Sequence, residues 1–148
     1  MTLGSNMREN NPSERKSKMQ WNLDNNSPLY LQIADKIKLG IVSGQYAPGG
    51  KIDSVRDFAE KTGVNPNTMQ RALSRLEDEG LLLTNRTSGK YVTEDIQMID
   101  KFKHELAKEY IKNFLESMEQ TGFSREEILN LLNSEFGKGE DADVYIGM

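Results

Sequence analysis

The sequence predicts a mostly α-helical protein with one small β-hairpin. Three observations support this fold class. Apolar residues recur every three or four positions in several separate stretches, which is the period of an amphipathic helix. Clusters of glycine, proline and asparagine divide these stretches at short intervals. Two short strand-like runs lie on either side of the polar loop 85–89, which has a glycine where a tight turn needs one.

Composition limits the class of protein. The 148 residues are enough for one domain of ordinary size with an appendage, or for two very small units that share a core. Hydrophobic residues make up 36% and charged residues 28%, and no apolar run approaches the roughly 20 residues of a membrane span, so we expect a soluble cytoplasmic protein. The sequence has no cysteine and no signal-peptide pattern, which argues against secretion, disulfides and cysteine-ligated zinc.

Charge is distributed unevenly along the chain. The net charge of −4 comes from 13 basic and 10 acidic side chains in residues 1–93, and from 6 basic and 13 acidic side chains in residues 94–148. If the partner is DNA, basic side chains that neutralise phosphates should lie in the first two-thirds of the chain.

The first three helices follow from apolar spacing and end signals. Residues 1–26 are polar and show no sustained period, so we predict a flexible segment there. A first helix is predicted from Pro28 to near Gly44, a second from Ser54 to Gly63, and a third from Pro66 to Gly80, capped by Asn65. Their apolar stripes contain Leu29, Ile33, Ile37, Ile41, Val55, Phe58, Ala59, Met69, Ala72, Leu73 and Leu76.

The second and third helices are joined by a short turn containing glycine, which is typical of a helix-turn-helix. Strands are predicted at 81–84 and 90–93, and a hairpin in this place is a wing. A long helix should then run from Asp95 to Thr121. Ser124 and Glu127 have the spacing of a capping box and predict a last short helix.

Between Pro28 and Val92 the sequence resembles the DNA-binding domain of GntR-family regulators. The resemblance covers under half of the chain, but its elements occur in order and at family spacing: Pro28-Leu29-Tyr30-Leu31-Gln32-Ile33, Gly44, Pro48-Gly49, Ser54-Val55-Arg56, Gly63-Val64-Asn65-Pro66-Asn67-Thr68, Arg71-Ala72 and Leu76-Glu77-Asp78-Glu79-Gly80-Leu81. The chain departs from the pattern at Ile52-Asp53, where Leu-Pro is usual, at Leu73, where Tyr is usual, and at the wing tip, where Thr87-Ser88-Gly89 contains less glycine. Asp53 adds a negative charge near the expected path of the phosphates.

The short helical tail is similar to the YtrA-type branch of this family, in which the C-terminal part serves mainly for dimerisation. The resemblance implies a homodimeric repressor of an inverted-repeat operator, often that of a membrane transporter operon. We therefore predict four parts: a flexible N-terminal segment (1–26), a winged helix-turn-helix domain (27–93), a C-terminal helical dimerisation region (94–136) and an acidic flexible tail (137–148).

Candidate DNA-binding residues lie at three places. A recognition helix enters the major groove with its N-terminus first, so the exposed residues of its opening turns should meet phosphates and base edges, with Arg71 as the candidate guanine reader. Ser54 and Arg56 open the second helix, where the resemblance implies backbone contacts. At the wing tip, Gly89 permits close approach and Lys90 adds a cation. The full set is Ser54, Arg56, Asn65, Asn67, Thr68, Arg71, Gly89 and Lys90.

The long helix carries an apolar stripe that predicts packing against a second subunit, with a ligand pocket as the alternative. A solvated surface role is the alternative for the arginines Arg71, Arg75 and Arg86. For Arg75 we favour pairing with Glu79. His104, among charged neighbours, is expected on the surface. The predicted dimerisation residues are Ile99, Phe102, Leu106, Tyr110 and Phe114.

Two other function classes remain to be compared. A winged helix can also serve as a protein-interaction module without DNA, but the polar residues that open the third helix favour DNA. An enzyme is the weakest hypothesis, because no nucleophile–base pair, phosphate-binding glycine loop or metal-ligand cluster is present. We accordingly predict no catalytic residues, no cofactor and no metal, and the sequence identifies no small-molecule effector.

Overall fold

Five helices and one two-stranded antiparallel sheet follow one another along residues 21–138, the part of the chain that the computed structural model describes. The predicted flexible residues 1–20 and the last ten residues of the predicted acidic tail lie outside it. The mostly α-helical fold class with one hairpin is confirmed. The elements are α1 (Leu29–Val42), α2 (Val55–Thr62), α3 (Pro66–Asp78), β1 (Leu82–Asn85), β2 (Gly89–Val92), α4 (Ile96–Gln120) and α5 (Arg125–Gly137).

The residues at the ends of the two helices of the helix-turn-helix stabilise those ends. Ser54 Oγ accepts a hydrogen bond from the Asp57 N–H at 3.1 Å, which caps α2. Gly63 ends α2 in the left-handed region at φ +74°, where a Cβ would be strained. Asn65 Oδ1 then accepts from the Asn67 N–H at 2.8 Å, and Pro66 takes the first position of α3. The sequence signals therefore place this turn correctly.

The core of the winged helix lies where the predicted apolar stripes meet. Helix α1 packs against α3, and α2 also packs against α3. Fully burying a Leu, Ile or Phe side chain contributes about 1.5–3 kcal/mol, so this core supplies most of the domain's stabilisation. The largest fully buried side chains of these helices and of the wing are Ile33, Ile37, Ile41, Phe58, Met69, Leu73, Leu76, Leu81, Leu82 and Val92.

The wing is larger than the predicted hairpin. Strands β1 and β2 pair in the register Leu82↔Val92 to Asn85↔Gly89, about one residue from the predicted bounds. The segment before α2 adds to the other edge of β2: the Ile52 N–H donates to Lys90 O at 3.0 Å, and the Val92 N–H donates to Gly50 O at 2.9 Å. This edge was missed because Pro48-Gly49-Gly50 has the composition of a turn.

Residues 21–26, part of the predicted flexible segment, make specific contacts in the structure. The Trp21 ring lies 6.2 Å from that of Phe58, measured between centroids. The Gln32 side chain accepts from the Asp24 N–H at 2.9 Å and donates to the carbonyls of Asp24 and Ser27, each at 2.8 Å. This amide therefore ties the entry segment to the first turn of α1.

The chain forms two compact units, Met1–Lys103 and His104–Met148. The first unit extends ten residues beyond the predicted domain boundary at 93/94, into α4. Met98 lies against Gly80, where a Cβ would come within 3.3 Å of the Met98 Cε. Lys38 Nζ lies over the Phe102 ring, 5.0 Å from its centroid. The first turns of α4 thus belong to the core of the winged helix.

The second unit contains the end of α4 and all of α5. The predicted capping box is confirmed: Ser124 Oγ accepts from the Glu127 N–H at 3.2 Å, and the Ser124 N–H donates to Glu127 Oε1 at 3.1 Å. Ile128 is buried. Within residues 21–138 every helix is too short or too polar for a transmembrane span.

Candidate nucleic-acid interface

The start of α2 and the wing line one open cleft of about 540 Å³. Ser54, Gly89 and Lys90 are among its lining residues, so the structure brings these three predicted site residues together. Arg56 and the four predicted residues at the N-terminal end of α3, which are Asn65, Asn67, Thr68 and Arg71, are not part of that lining. They lie on the exposed sides of their own helices, apart from Thr68, which is half-buried.

Helix α3 has the two faces that a recognition helix needs. Met69 and Leu73 are completely buried, as the spacing predicts. Asn67 and Arg71 are exposed on the other face. Asn65 is exposed as well, although its Oδ1 atom is engaged in capping. The exposed face therefore presents amide and guanidinium groups, which donate hydrogen bonds to phosphates and bases.

Arg71 has a partner that the sequence did not reveal. Its Cζ atom lies over the ring of Tyr30, 4.0 Å from the centroid. This distance is within the range of cation–π contacts, which extends to about 6 Å. Tyr30 is in the first turn of α1. The helical periodicity of α3 does not indicate which side chain of another helix Arg71 contacts, so the sequence did not predict this pair.

The start of α2 carries an ion pair that removes an apparent obstacle to DNA binding. Asp53, the acidic departure from the family pattern, accepts from Lys61 Nζ at 2.8 Å. The hydrogen bond from Lys61 to Asp53 and their mutual attraction raise the pKa of the Lys61 ammonium. Lys61 of α2 thereby compensates part of the negative charge of Asp53, which lies just before the helix. Arg56 is exposed and forms no ion pair with any described residue.

At the wing, the predicted cation is engaged in an ion pair. Lys90 Nζ binds the carboxylate of Glu77 on α3 and donates to Thr84 Oγ1 at 3.1 Å, and its side chain is only 13% exposed. Another lysine lies beside the wing glycine. A Cβ on Gly89, which has φ +115°, would come within 3.2 Å of Lys51 Cε. Lys51 is exposed and forms no ion pair within residues 21–138.

The C-terminal end of α3 carries a charged network. Arg75 Nε lies 3.6 Å from Glu79 Oε1, which confirms the predicted pairing of these residues. Glu79 also accepts from Lys38 Nζ of α1 at 2.8 Å. The side chains of Lys38 and Glu79 are 18% and 21% exposed, whereas that of Arg75 is 53% exposed. The second arginine of α3 therefore has an acidic partner, whereas Arg71 is stacked on an aromatic ring.

The predicted dimerisation residues fall into two groups. Ile99 is buried within the single chain, and Phe102 and Leu106 are half-buried. Tyr110 and Phe114 are 53% and 39% exposed, and both line an apolar groove of about 700 Å³ in the second unit. Leu115, Ile128, Leu129, Leu132 and Phe136 line the same groove.

Within residues 21–138, no group of three or more His, Cys, Asp or Glu side chains has the arrangement of a metal site. His104 is on the surface, as expected from its charged neighbours.

Comparison with known proteins identifies bacterial transcription regulators as relatives of this chain. Residues 29–92 match the family model described as bacterial regulatory proteins, gntR family. The chain is 40% identical over 102 residues to the HTH-type transcriptional regulator YhcF of Bacillus subtilis (strain 168), covering 69% of this chain and 84% of the relative. It is 32% identical over 103 residues to the HTH-type transcriptional repressor YtrA of the same strain, covering 69% and 79%.

Among solved structures, a GntR family transcriptional regulator from Listeria monocytogenes is similar to this chain at a TM-score of 0.70 and 38% identity. The similarity covers 76% of this chain and 98% of the other. It therefore includes helical sequence beyond the winged helix, which accounts for less than half of the chain.

Proposed function

This chain belongs to the GntR family of bacterial regulatory proteins, a family of DNA-binding transcription regulators and not of enzymes, and we propose that it is a homodimeric repressor of an inverted-repeat operator. Its relative YtrA carries the name of a repressor, and the chain spans 79% of that protein. The resemblance to the YtrA-type branch further suggests a transporter operon as the target. The proposed site of action is the cytoplasm, where operator DNA lies.

The observation that carries the proposal is the composition of the exposed face of α3. An interaction module for another protein would present apolar side chains there, but this helix buries Met69 and Leu73 and exposes Asn67 and Arg71. We expect Asn65 and Thr68 to contact phosphates near the positive end of the helix dipole. Arg71 has a planar guanidinium that matches the O6 and N7 atoms of guanine, so we assign base readout to it.

The exposed apolar side chains of the second unit support the homodimer. Tyr110 and Phe114 border the apolar groove, and burying them against a second copy removes this surface from water. A two-fold dimer places two recognition helices in successive major grooves, about 34–36 Å apart along the DNA. An inverted repeat with half-sites one helical turn apart follows from that symmetry.

The test of DNA recognition uses the full-length chain and duplexes selected from a random-sequence library. Replacing Arg71 by alanine should cost about 1–3 kcal/mol for each subunit on the selected duplex and little on random duplex, as expected for a base contact. Arg75→Ala is the matched control, since that arginine pairs with Glu79. Fluorescence anisotropy at moderate salt measures both. A wild-type protein that binds selected and random duplexes equally would refute the proposed function, and equal losses for Arg71→Ala on both would make Arg71 a phosphate contact.

The test of the homodimer is sedimentation equilibrium. Phe114→Glu should convert the dimer to a monomer, because a carboxylate cannot be buried in an apolar interface without a partner. Ser117→Glu adds the same charge at an exposed position of α4 that does not line the groove, and should leave the dimer intact. A dimer that survives Phe114→Glu would place the interface elsewhere.

A further inference from the structure

The stacking of Arg71 on Tyr30 connects the first helix to sequence readout. The guanidinium carbon lies 4.0 Å from the centre of the phenol ring, over its face. A guanidinium is planar, and its five N–H donors lie at its edges. A ring that covers one face therefore leaves the edge donors available for a base. The contact restricts the rotamers of a long side chain without covering the N–H edges of its guanidinium.

The ring that makes this contact is firmly anchored. Tyr30 is half-buried in the first turn of α1, and the following turns of α1 bury Ile33 and Ile37 in the core shared with α3. Gln32 holds the entry to this turn through three hydrogen bonds to Asp24 and Ser27. The core therefore fixes the backbone position from which the Tyr30 ring reaches Arg71 of α3.

We propose that Tyr30 is a positioning residue for sequence recognition, which holds Arg71 before DNA arrives in the conformation that reads the base. This inference rests on the proposed function and assigns to α1 a part in specificity. An arginine that is ordered in advance loses less conformational freedom on binding, so the affinity for the matching sequence rises. Random DNA, in which Arg71 finds no guanine in register, gains nothing from the stack.

The experiment compares Tyr30→Leu, which removes the π face, with Tyr30→Phe, which keeps it and removes the hydroxyl. On the duplex selected by the wild type, Tyr30→Leu should bind about two- to fivefold more weakly for each subunit, the range of an exposed cation–π contact, and so about five- to thirtyfold more weakly as a dimer. Binding to random duplex and the dependence of affinity on salt should be unchanged. Tyr30→Phe should bind as the wild type does. In the Arg71→Ala background, Tyr30→Leu should have no further effect, because the two side chains act as one unit.

A structural readout without DNA accompanies the binding data. The ring current of Tyr30 should shift the NMR signals of the Arg71 side chain, and that shift should persist in Tyr30→Phe and vanish in Tyr30→Leu. Thermal unfolding of each variant establishes that the domain is folded at the assay temperature.

Three outcomes would overturn the inference while leaving the proposed function intact. A loss as large in Tyr30→Phe as in Tyr30→Leu would show that the hydroxyl contacts DNA directly. An effect of Tyr30→Leu that persists in the Arg71→Ala background, or that is equal on random duplex, would show that the tyrosine does not act through Arg71. If the wild type selects no sequence at all, the proposed function itself fails, and this inference fails with it.

Discussion

The wing offers a direct comparison between two lysines, only one of which is available to DNA. Lys51 is exposed beside Gly89, and no described residue pairs with it, whereas Lys90 is held by Glu77. We expect Lys51→Met to weaken binding to selected and random duplexes alike, because a phosphate contact carries no sequence information. The matched control is the double variant Lys90→Met with Glu77→Gln, which removes the internal ion pair without changing the net charge.

The expected magnitude follows from counterion release. Each phosphate contact contributes about 0.9 to the slope of log affinity against log salt, so the loss of Lys51 from both wings of a dimer should lower the slope by about 1.8. The ratio of wild-type to variant affinity should then fall about twelvefold as salt rises from about 50 to 200 mM. The double variant at positions 77 and 90 should keep the wild-type slope.

Anisotropy titrations of the full-length chain at several salt concentrations measure these slopes. A slope that is unchanged in Lys51→Met but lower in the double variant would refute the reasoning, since it would show that Lys90 leaves Glu77 to bind phosphate. Circular dichroism melting curves check that the double variant keeps a folded wing.

Three further predictions concern stability. Leu73→Ala should destabilise the winged helix by about 2–5 kcal/mol in urea unfolding, because Leu73 is completely buried; a change under 1 kcal/mol would contradict its place in the core. Gly40→Ala should lower the melting temperature although alanine favours helices by about 1 kcal/mol, since its Cβ would lie 2.4 Å from the Tyr46 ring; a higher melting temperature would show that the ring moves aside at no cost. The hydrogen bonds from the backbone and side chain of Ser124 lower the pKa of Glu127 below its ordinary 4.5. The contribution of the ionised Glu127 to folding stability is therefore complete above pH 4.5, and it is lost as the pH falls through the lowered pKa. The stability of Glu127→Gln should accordingly approach that of the wild type as the pH falls below about 4.5, and a difference that stays constant would exclude the capping box as the cause.

The elements that the sequence predicts well are those whose signals are local. Apolar spacing places the helices, and the caps at Ser54, Asn65 and Ser124 follow from one residue and its near neighbours. The i,i+4 pair of Arg75 and Glu79 is confirmed for the same reason. Each of these interactions lies within one helical turn, so the order of residues determines the geometry.

The features that the sequence does not predict depend on contacts between distant segments. The pairing of Lys90 with Glu77 and the stack of Arg71 on Tyr30 both join different elements. The sequence around Lys90 or Arg71 does not distinguish either side chain from an ordinary exposed cation. Their availability to DNA is decided by which neighbour the fold provides, and a helical or alternating period does not carry that information.

The β-pairing of the segment before α2 also has a consequence for changes in chain length. Because Gly50 and Ile52 hydrogen-bond to β2, one inserted residue there would slip the register and turn the buried Ile52 toward water. In the loop 86–88, by contrast, the hydrogen bonds of Thr87 are local, since its N–H and its hydroxyl donate to Asn85 Oδ1 at 3.0 and 2.8 Å. When the wing of one regulator is replaced by that of another, residues 49–53 should therefore be exchanged together with the hairpin.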